Sequence, residues 1–380
     1  MFAIVCRRGL KVLLNNNFVP PRNTAWFRLC SSSVCINASE KSFTISSYLV
    51  NSCGLSSEDA ISASKKLCSI KSPEKPDAVL KLLREYGFAD ANHIPRLIIR
   101  WPTVLLASPN KTLLPKLKFF RSIGVPLPVL AHKLSVQPSI LTRSLENSII
   151  PSYNYLNSLL GSHERVVLAF TLSPKVFGHC WTKGVPSNVS MLRERGVPHS
   201  TIVWLVLYMP SLLLVSKDKL DGYISRALEM GFDVCRRRFV LAIGVFIDLT
   251  ESTLEQKKEV YRRCGWSEND IKAAFLRYPN IMKLSEKKIM ANMDFLANVL
   301  GCDRDAIVQS PAFLGYSLDK RIKPRCLVAM ILSDKGLKSM TSLVTLLTLS
   351  ENRFLKRYIV EYEKDIPELL DIYRGKSSPP

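Results

Sequence analysis

IVWLVLYMPSLLLVSKDKL, residues 202–220, arranges four kinds of residue around one proline. Counted from Pro210, Val206 lies four residues before, Leu212 and Leu213 two and three after, Ser216 six after and Lys219 nine after. The same order recurs around Pro102, Pro138, Pro174, Pro279 and Pro311. Ile98, Leu134, Phe170, Phe275 and Ile307 stand four before. The pairs Val104-Leu105, Ile140-Leu141, Val176-Phe177, Ile281-Met282 and Phe313-Leu314 stand two and three after. Ser108, Ser144, Cys180, Ser285 and Ser317 follow at six, and Lys111, Asn147, Lys183, Lys288 and Lys320 at nine. The first four prolines are each 36 residues apart, and a glycine series keeps step: Gly54, Gly87, Gly124, Gly161, Gly196, Gly231, Gly265, Gly301 and Gly336. Self-similarity of this period means stacked repeats rather than one globular core.

Each glycine is placed to end a helix, where a residue free to turn left-handed closes the last turn. A first helix follows, with starts such as Ser267-Glu268-Asn269-Asp270, where serine caps and the acids complement the helix dipole. Proline then stops it, because the residue before proline is pushed out of the helical region and proline has no backbone donor. Proline also suits the first position of a new turn, so proline to serine is one short, tight turn docked by its apolar pair. The serine caps a second helix of roughly 14 residues that runs to the next glycine. The expected fold is all-α: an α-solenoid of about eight 35-residue repeats (helix, proline-started short turn, helix) forming a curved superhelix over residues 40–336.

Departures from the pattern have their own readings. Near the N-terminal end Pro73 and Pro76 are displaced, as befits a terminal repeat with one unpaired face. Between Gly231 and Gly265, Phe246 stands in the proline's place; Ser252 keeps the capping offset, and Glu255 completes a capping box. Residues 337–374 read as two closing helices, and 375–380 as a frayed tail. Residues 1–39 hold Arg7, Arg8, Lys11, Arg22 and Arg28 and no acid, with bulky apolar residues between. That composition is expected of an organellar transit peptide, mitochondrial in preference to chloroplast.

Charge narrows the function. Lys and Arg total 53 against 32 acids, a net of +21, and +16 remains without residues 1–39. A basic solenoid calls for a polyanionic partner, most commonly nucleic acid. The Lys at the ninth position would sit at the third residue of a capped helix, where a cation is locally unfavourable by a few tenths to about 1 kcal/mol. Its recurrence at Lys111, Lys183, Lys219, Lys288 and Lys320 makes a row of phosphate contacts the candidate site, joined by Arg236, Arg237 and Arg321 from two other basic groups. Trp101, Tyr208 and Tyr278, just before prolines, are positions for base stacking but read more readily as core. Nucleotide-binding glycine motifs, a phosphate loop and metalloprotease spacing are absent, and the five histidines do not fall at ligand spacing. No catalytic residue, metal or cofactor is expected. Ten scattered cysteines without a Cys-x-x-Cys pair read as thiols packed as small apolar residues. Apolar runs such as 202–215 are too short and proline-broken to span a membrane.

The segments PTVLLAS, PSILTRS, PSLLLVS, PNIMKLS and PAFLGYS, with GWSENDIKAAFLRYPNIM as the clearest repeat, resemble the mitochondrial transcription termination factor family over roughly residues 48–373. The transit peptide and the ending FLKRYIVEYEKDIPELLDIY look like its plant members. The resemblance implies a solenoid of helical triplets whose basic concave path holds double-stranded DNA or structured RNA. It also implies a role in organellar transcription termination or initiation, intron splicing or ribosome biogenesis, with proteins of those processes as further partners. The proline-free repeat around Phe246 departs from the family pattern. The expectation is a monomeric, non-catalytic regulator of mitochondrial gene expression. Two other readings stand beside it: a helical-repeat reader of single-stranded RNA, and a protein-binding solenoid in mitochondrial ribosome assembly.

Overall fold

A computed structural model describes residues 43–179, 181–339 and 342–376. The stretch expected to be a transit peptide, Cys180 and the last residues of the tail lie outside them. The chain divides between Ser225 and Arg226 into two compact units. Among the described residues every regular element of both is helical.

Within the first unit the expected repeat is present. His93–Arg100 is a first helix, Pro102–Leu106 a 3-10 turn, and residues 109–122 the second helix. Proline acts on its predecessor as predicted: Trp101 is forced to φ −142°, ψ 72°, and comparable values recur at Gln137, Ser173, Met209, Tyr278 and Ser310. All six prolines open a 3-10 turn. Every residue of the six apolar pairs is buried, which fixes each turn on the core. Ser108, Ser144, Ser285 and Ser317 accept from the backbone N–H three residues on, at 3.2–3.4 Å. All nine glycines of the series have positive φ. At Gly124 the N–H of Val125 bonds back to Phe120 O and that of Gly124 to Arg121 O, and the buried Val125 side chain seals the closure.

The 226–376 unit keeps the repeat with one exception. Ser267 and Asp270 form a capping box at Glu268–Arg277, and 3-10 turns start at Pro279 and Pro311. Without a proline, Arg237–Asp248 runs as one uninterrupted helix. The next helix, Glu251–Arg263, is capped by Thr250, which accepts from Thr253 N, and not by Ser252. The expected capping box fails because the missing turn brings the cap two residues forward. Glu255 lies instead within the helix and pairs with Arg262 at 2.6 Å and Lys258 at 3.0 Å. Among the described residues the closing segment holds three α-helices rather than two, Leu343–Thr348, Glu351–Tyr358 and Leu369–Tyr373, with a 3-10 turn at Val360–Tyr362. Extended Leu349 and Ser350 interrupt the first pair.

Two features were not foreseen. Three second helices begin with a π turn, over Pro109–Leu113, Leu145–Ile149 and Leu318–Ile322. Each precedes Pro115, Pro151 or Pro324, seven residues after the capping serine. Proline cannot donate to the carbonyl four residues back and its ring crowds that carbonyl, so the ladder widens there. Where Asn292 takes that place, the helix from Glu286 starts as plain α.

The second feature is a buried polar side chain that ties six of the second helices to the turn of the next repeat. Asn188 donates to Leu213 O (3.1 Å) and Val215 O (2.8 Å); Asn292 donates to Leu314 O and Tyr316 O, both 3.0 Å. The Lys116 ammonium donates to Leu141 O, and Tyr261 Oη to Ile281 O at 2.9 Å. Ser152 Oγ accepts from Trp181 N at 3.1 Å, and Arg325 donates to Leu346 O and Leu349 O. The carbonyls at the end of a 3-10 turn have no partner within it, and burial would leave them unsatisfied. Lys116, Ser152 and Asn188 stand 36 residues apart, so the series was visible in the sequence.

Candidate nucleic-acid interface

Positive charge is unevenly used. Residues 43–225 hold 21 Lys and Arg against 11 Asp and Glu, a net of +10. Their Lys and Arg ion pairs among the described residues are Arg84–Asp90 at 2.9 Å and Arg195–Asp221 at 2.7 Å. Residues 226–376 hold 26 against 20, a net of +6, and there ten of the cations stand in ion pairs among the described residues. Arg262 is clasped by Glu255, Glu259 and Glu268, which push its pKa up. Arg263 pairs with Glu286, Lys283 with Asp248, and Arg226 with Glu251. Net positive charge is thus larger, and less answered by carboxylates, in the repeats before Ser225.

The predicted lysine row is placed as follows. Lys111 is exposed at the third residue of its helix, its own N–H held by Ser108. Lys219 is exposed at the third residue of Lys217–Glu229, and Lys217 adds a second exposed cation beside it. Lys183 departs from the expectation. Its repeat delays the second helix to Val185, with Gly184 at the cap, so Lys183 is exposed on the preceding turn. Gly184 has φ 81°, which lets the chain enter the helix late.

In the second unit Lys320 is exposed at the third residue after Ser317. Lys288 is engaged: its ammonium donates to Gly315 O at 2.6 Å, another link to the following turn. Arg321 is engaged likewise, donating to Leu347 O and Leu349 O at 2.8 Å and lying 4.3 Å over the Tyr316 ring. Arg236 is exposed and pairs with Asp233 at 3.5 Å, and Arg237 is exposed at the start of Arg237–Asp248. Sequence reading missed Arg353, Lys356 and Arg357. They are exposed on one face of Glu351–Tyr358, and no ion pair holds them among the described residues. Their spacing of three and four residues was the available signal.

Of the aromatic candidates, Trp101 and Tyr278 are half-buried, in keeping with core positions. Tyr208 is 56% exposed and stacks on Trp204 with ring centroids 5.4 Å apart. It presents a ring to solvent just before the turn at Pro210, where a base could stack. The thiols divide rather than all packing inside: Cys53 and Cys326 are buried, Cys68 and Cys235 exposed. Burial pushes the Cys53 thiol up to about 12, away from reactivity. Two histidines do meet, His93 and His132, with ring centroids 6.0 Å apart. His93 Nδ1 accepts from Ala89 N, and burial lowers its pKa. No helix among the described residues is long and apolar enough to cross a membrane.

Comparison with known proteins agrees with the repeat. Residues 80–306 and 209–355 match the sequence profile of the mTERF family. The chain is 24% identical over 296 residues to "Transcription termination factor MTERF8, chloroplastic" of Arabidopsis thaliana, covering 77% of this chain and 56% of that protein. It is 25% identical over 294 residues to "Transcription termination factor 1a, mitochondrial" of Mus musculus, covering 72% of this chain and 74% of that one. The match therefore spans little more than half the length of the Arabidopsis relative.

Proposed function

The chain belongs to the mTERF family, and from that premise we propose that it is a non-catalytic nucleic-acid-binding protein that regulates gene expression in mitochondria. It acts by terminating or initiating transcription, or on RNA, as in intron splicing. The observation that carries this reading is the charge of residues 43–225: 21 cations against 11 acids, with two Lys or Arg ion pairs among them. Unpaired charge of one sign on a fixed scaffold attracts a polyanion and releases its counterions on binding. Lys111, Lys183 and Lys219 supply phosphate contacts, and Tyr208 a stacking face. Backbone contacts fix position and carry no sequence information, so the ligand is a double-stranded DNA or structured RNA held by shape. The names of both relatives favour the transcriptional branch and an organelle, chloroplast for one and mitochondrion for the other, and the arginine-bearing, acid-free residues 1–39 favour the mitochondrion. The proline-started turn in six repeats supports this reading over a two-helix reader of single-stranded RNA.

The test is fluorescence anisotropy of the full chain with labelled duplex DNA and with structured RNA, comparing wild type with Lys111→Glu, Lys183→Glu and Lys219→Glu combined. The triple reversal should weaken binding at least about tenfold. Undiminished affinity would remove these lysines from the interface, and absence of binding to both ligands would defeat the reading. Crosslinking in purified mitochondria, with DNA and RNA sequenced in parallel, then separates the transcriptional branch from the RNA branch.

A further inference from the structure

In each regular repeat two apolar residues after the proline plug the core, and all of them are buried. The repeat with Phe246 in the proline's place has Asp248 and Leu249 there instead, one exposed and one half-buried. A cavity of about 230 Å³ opens at this repeat, entirely within the 226–376 unit. Its walls are Phe246, Phe275, Met230, Met282, Leu254 and Ile271. The two phenylalanine rings pack tilted against each other, centroids 6.0 Å apart at 54°, and Met230 and Met282 add polarizable side chains to the lining.

The rim is charged, and most of that charge is already answered. Arg226 lies 4.2 Å over the Phe246 ring and pairs with Glu251; Lys258 pairs with Glu255; Glu268 is held by Arg262. Lys272 is exposed at the rim, and no ion pair answers it among the described residues. Asn269 adds an amide beside it. An apolar cavity of about 150 Å³ holds a benzene ring, so this one has room for a fused pair of rings.

We propose that this cavity is a binding site for a small planar aromatic anion: one or two fused rings in the space lined by Met230, Leu254, Phe275 and Met282, with a carboxylate or similar group toward Lys272. The site is separate from the basic repeats before Ser225 and does not depend on their ligand. An apolar ring gains by leaving water, and the anionic group gains the unpaired cation at the mouth.

The probe is indole-3-carboxylate, with its neutral amide as control, titrated into the full chain and followed by ligand-observed NMR and calorimetry. Wild type should bind the acid at millimolar or lower concentration, about fivefold more tightly than the amide. Met230→Trp, which fills the cavity from a flexible half-buried position, should abolish binding while leaving the melting temperature unchanged or higher. Lys272→Glu, a surface change, should remove the preference for the acid and leave binding of the amide. No binding to wild type, or binding that survives Met230→Trp in a folded protein, would overturn the proposal. Equal affinity for acid and amide in wild type would overturn it as well.

Discussion

Asn292 gives both amide hydrogens to the buried carbonyls of Leu314 and Tyr316, while Asn188 gives its own to Leu213 and Val215. The two sites differ in one respect: Asn188 Oδ1 is buried without a partner. Leaving a buried acceptor unsatisfied costs about 1–3 kcal/mol. Asn292→Leu strands two carbonyls and should destabilise by about 2–3 kcal/mol. Asn188→Leu also relieves an orphaned oxygen and should cost about 1 kcal/mol less. Urea unfolding checks this, with a shifted midpoint and an unchanged slope as the signature. Equal losses would mean that the Oδ1 is satisfied in solution. Glu351 extends the same logic to pH. Burial raises its pKa, but hydrogen bonds from Arg325 and Tyr373 and the charge of Arg325 outweigh burial and leave it lowered. A carboxyl lowered on folding contributes stability that is full above its unfolded value, near 4.5, and is lost as pH falls through the folded value. The stability gap between wild type and Glu351→Gln should therefore be wide at neutral pH and close in acid. A gap that stays constant with pH would show that Arg325 does not depend on that charge.

Proline, glycine and serine act on the backbone of their own neighbourhood, so the elements they punctuate could be read one repeat at a time. That is why the 3-10 turns, the left-handed closures and four of the serine caps stand where the spacing put them. Thr250 took the cap from Ser252 because a missing turn shifts everything after it, a consequence that no window around Ser252 contains. Lys183 falls outside its helix for a similar reason, since Gly184 and Val185 decide where that helix begins. The ties made by Asn188, Asn292 and Tyr261 join residues 20 to 27 apart, so what they bond to was hidden even where their spacing was not. Two glycines test the local account with opposite signs. Gly124 has φ +90° with open space where a side chain would begin, so Gly124→Ala meets only the left-handed strain and should lose about 1–2 kcal/mol. Gly222 lies inside Lys217–Glu229 with equally open space, and Gly222→Ala should gain about 0.5–1 kcal/mol. A shared sign in thermal unfolding would mean that neighbours, and not backbone conformation, set the effect.

Across the whole chain the decisive contrast is between cations that are engaged and cations that are not. Composition gives a basic protein, yet it places no charge and does not reveal that Lys288, Arg321 and Arg325 bond to the carbonyls of the next turn. Reversing Lys288 would disturb a joint between repeats as well as a surface, so it is a poor probe of binding. Among the described residues Lys111, Lys183 and Lys219 have no such engagement, and neither do Lys287, Lys335 and Lys356, all exposed, in the 226–376 unit. The two trios change net charge equally, which separates a general field from specific contacts. Every phosphate of duplex DNA that a variant no longer neutralises flattens the dependence of log affinity on log salt by about 0.9. Glu at Lys111, Lys183 and Lys219 should flatten that slope by nearly 3, whereas Glu at Lys287, Lys335 and Lys356 should lower affinity modestly at low salt with about the same slope. Equal slope changes for the two trios would place the interface on both units. A flatter slope for the second trio alone would move it past Ser225, where Arg353, Lys356 and Arg357 share an exposed helix face.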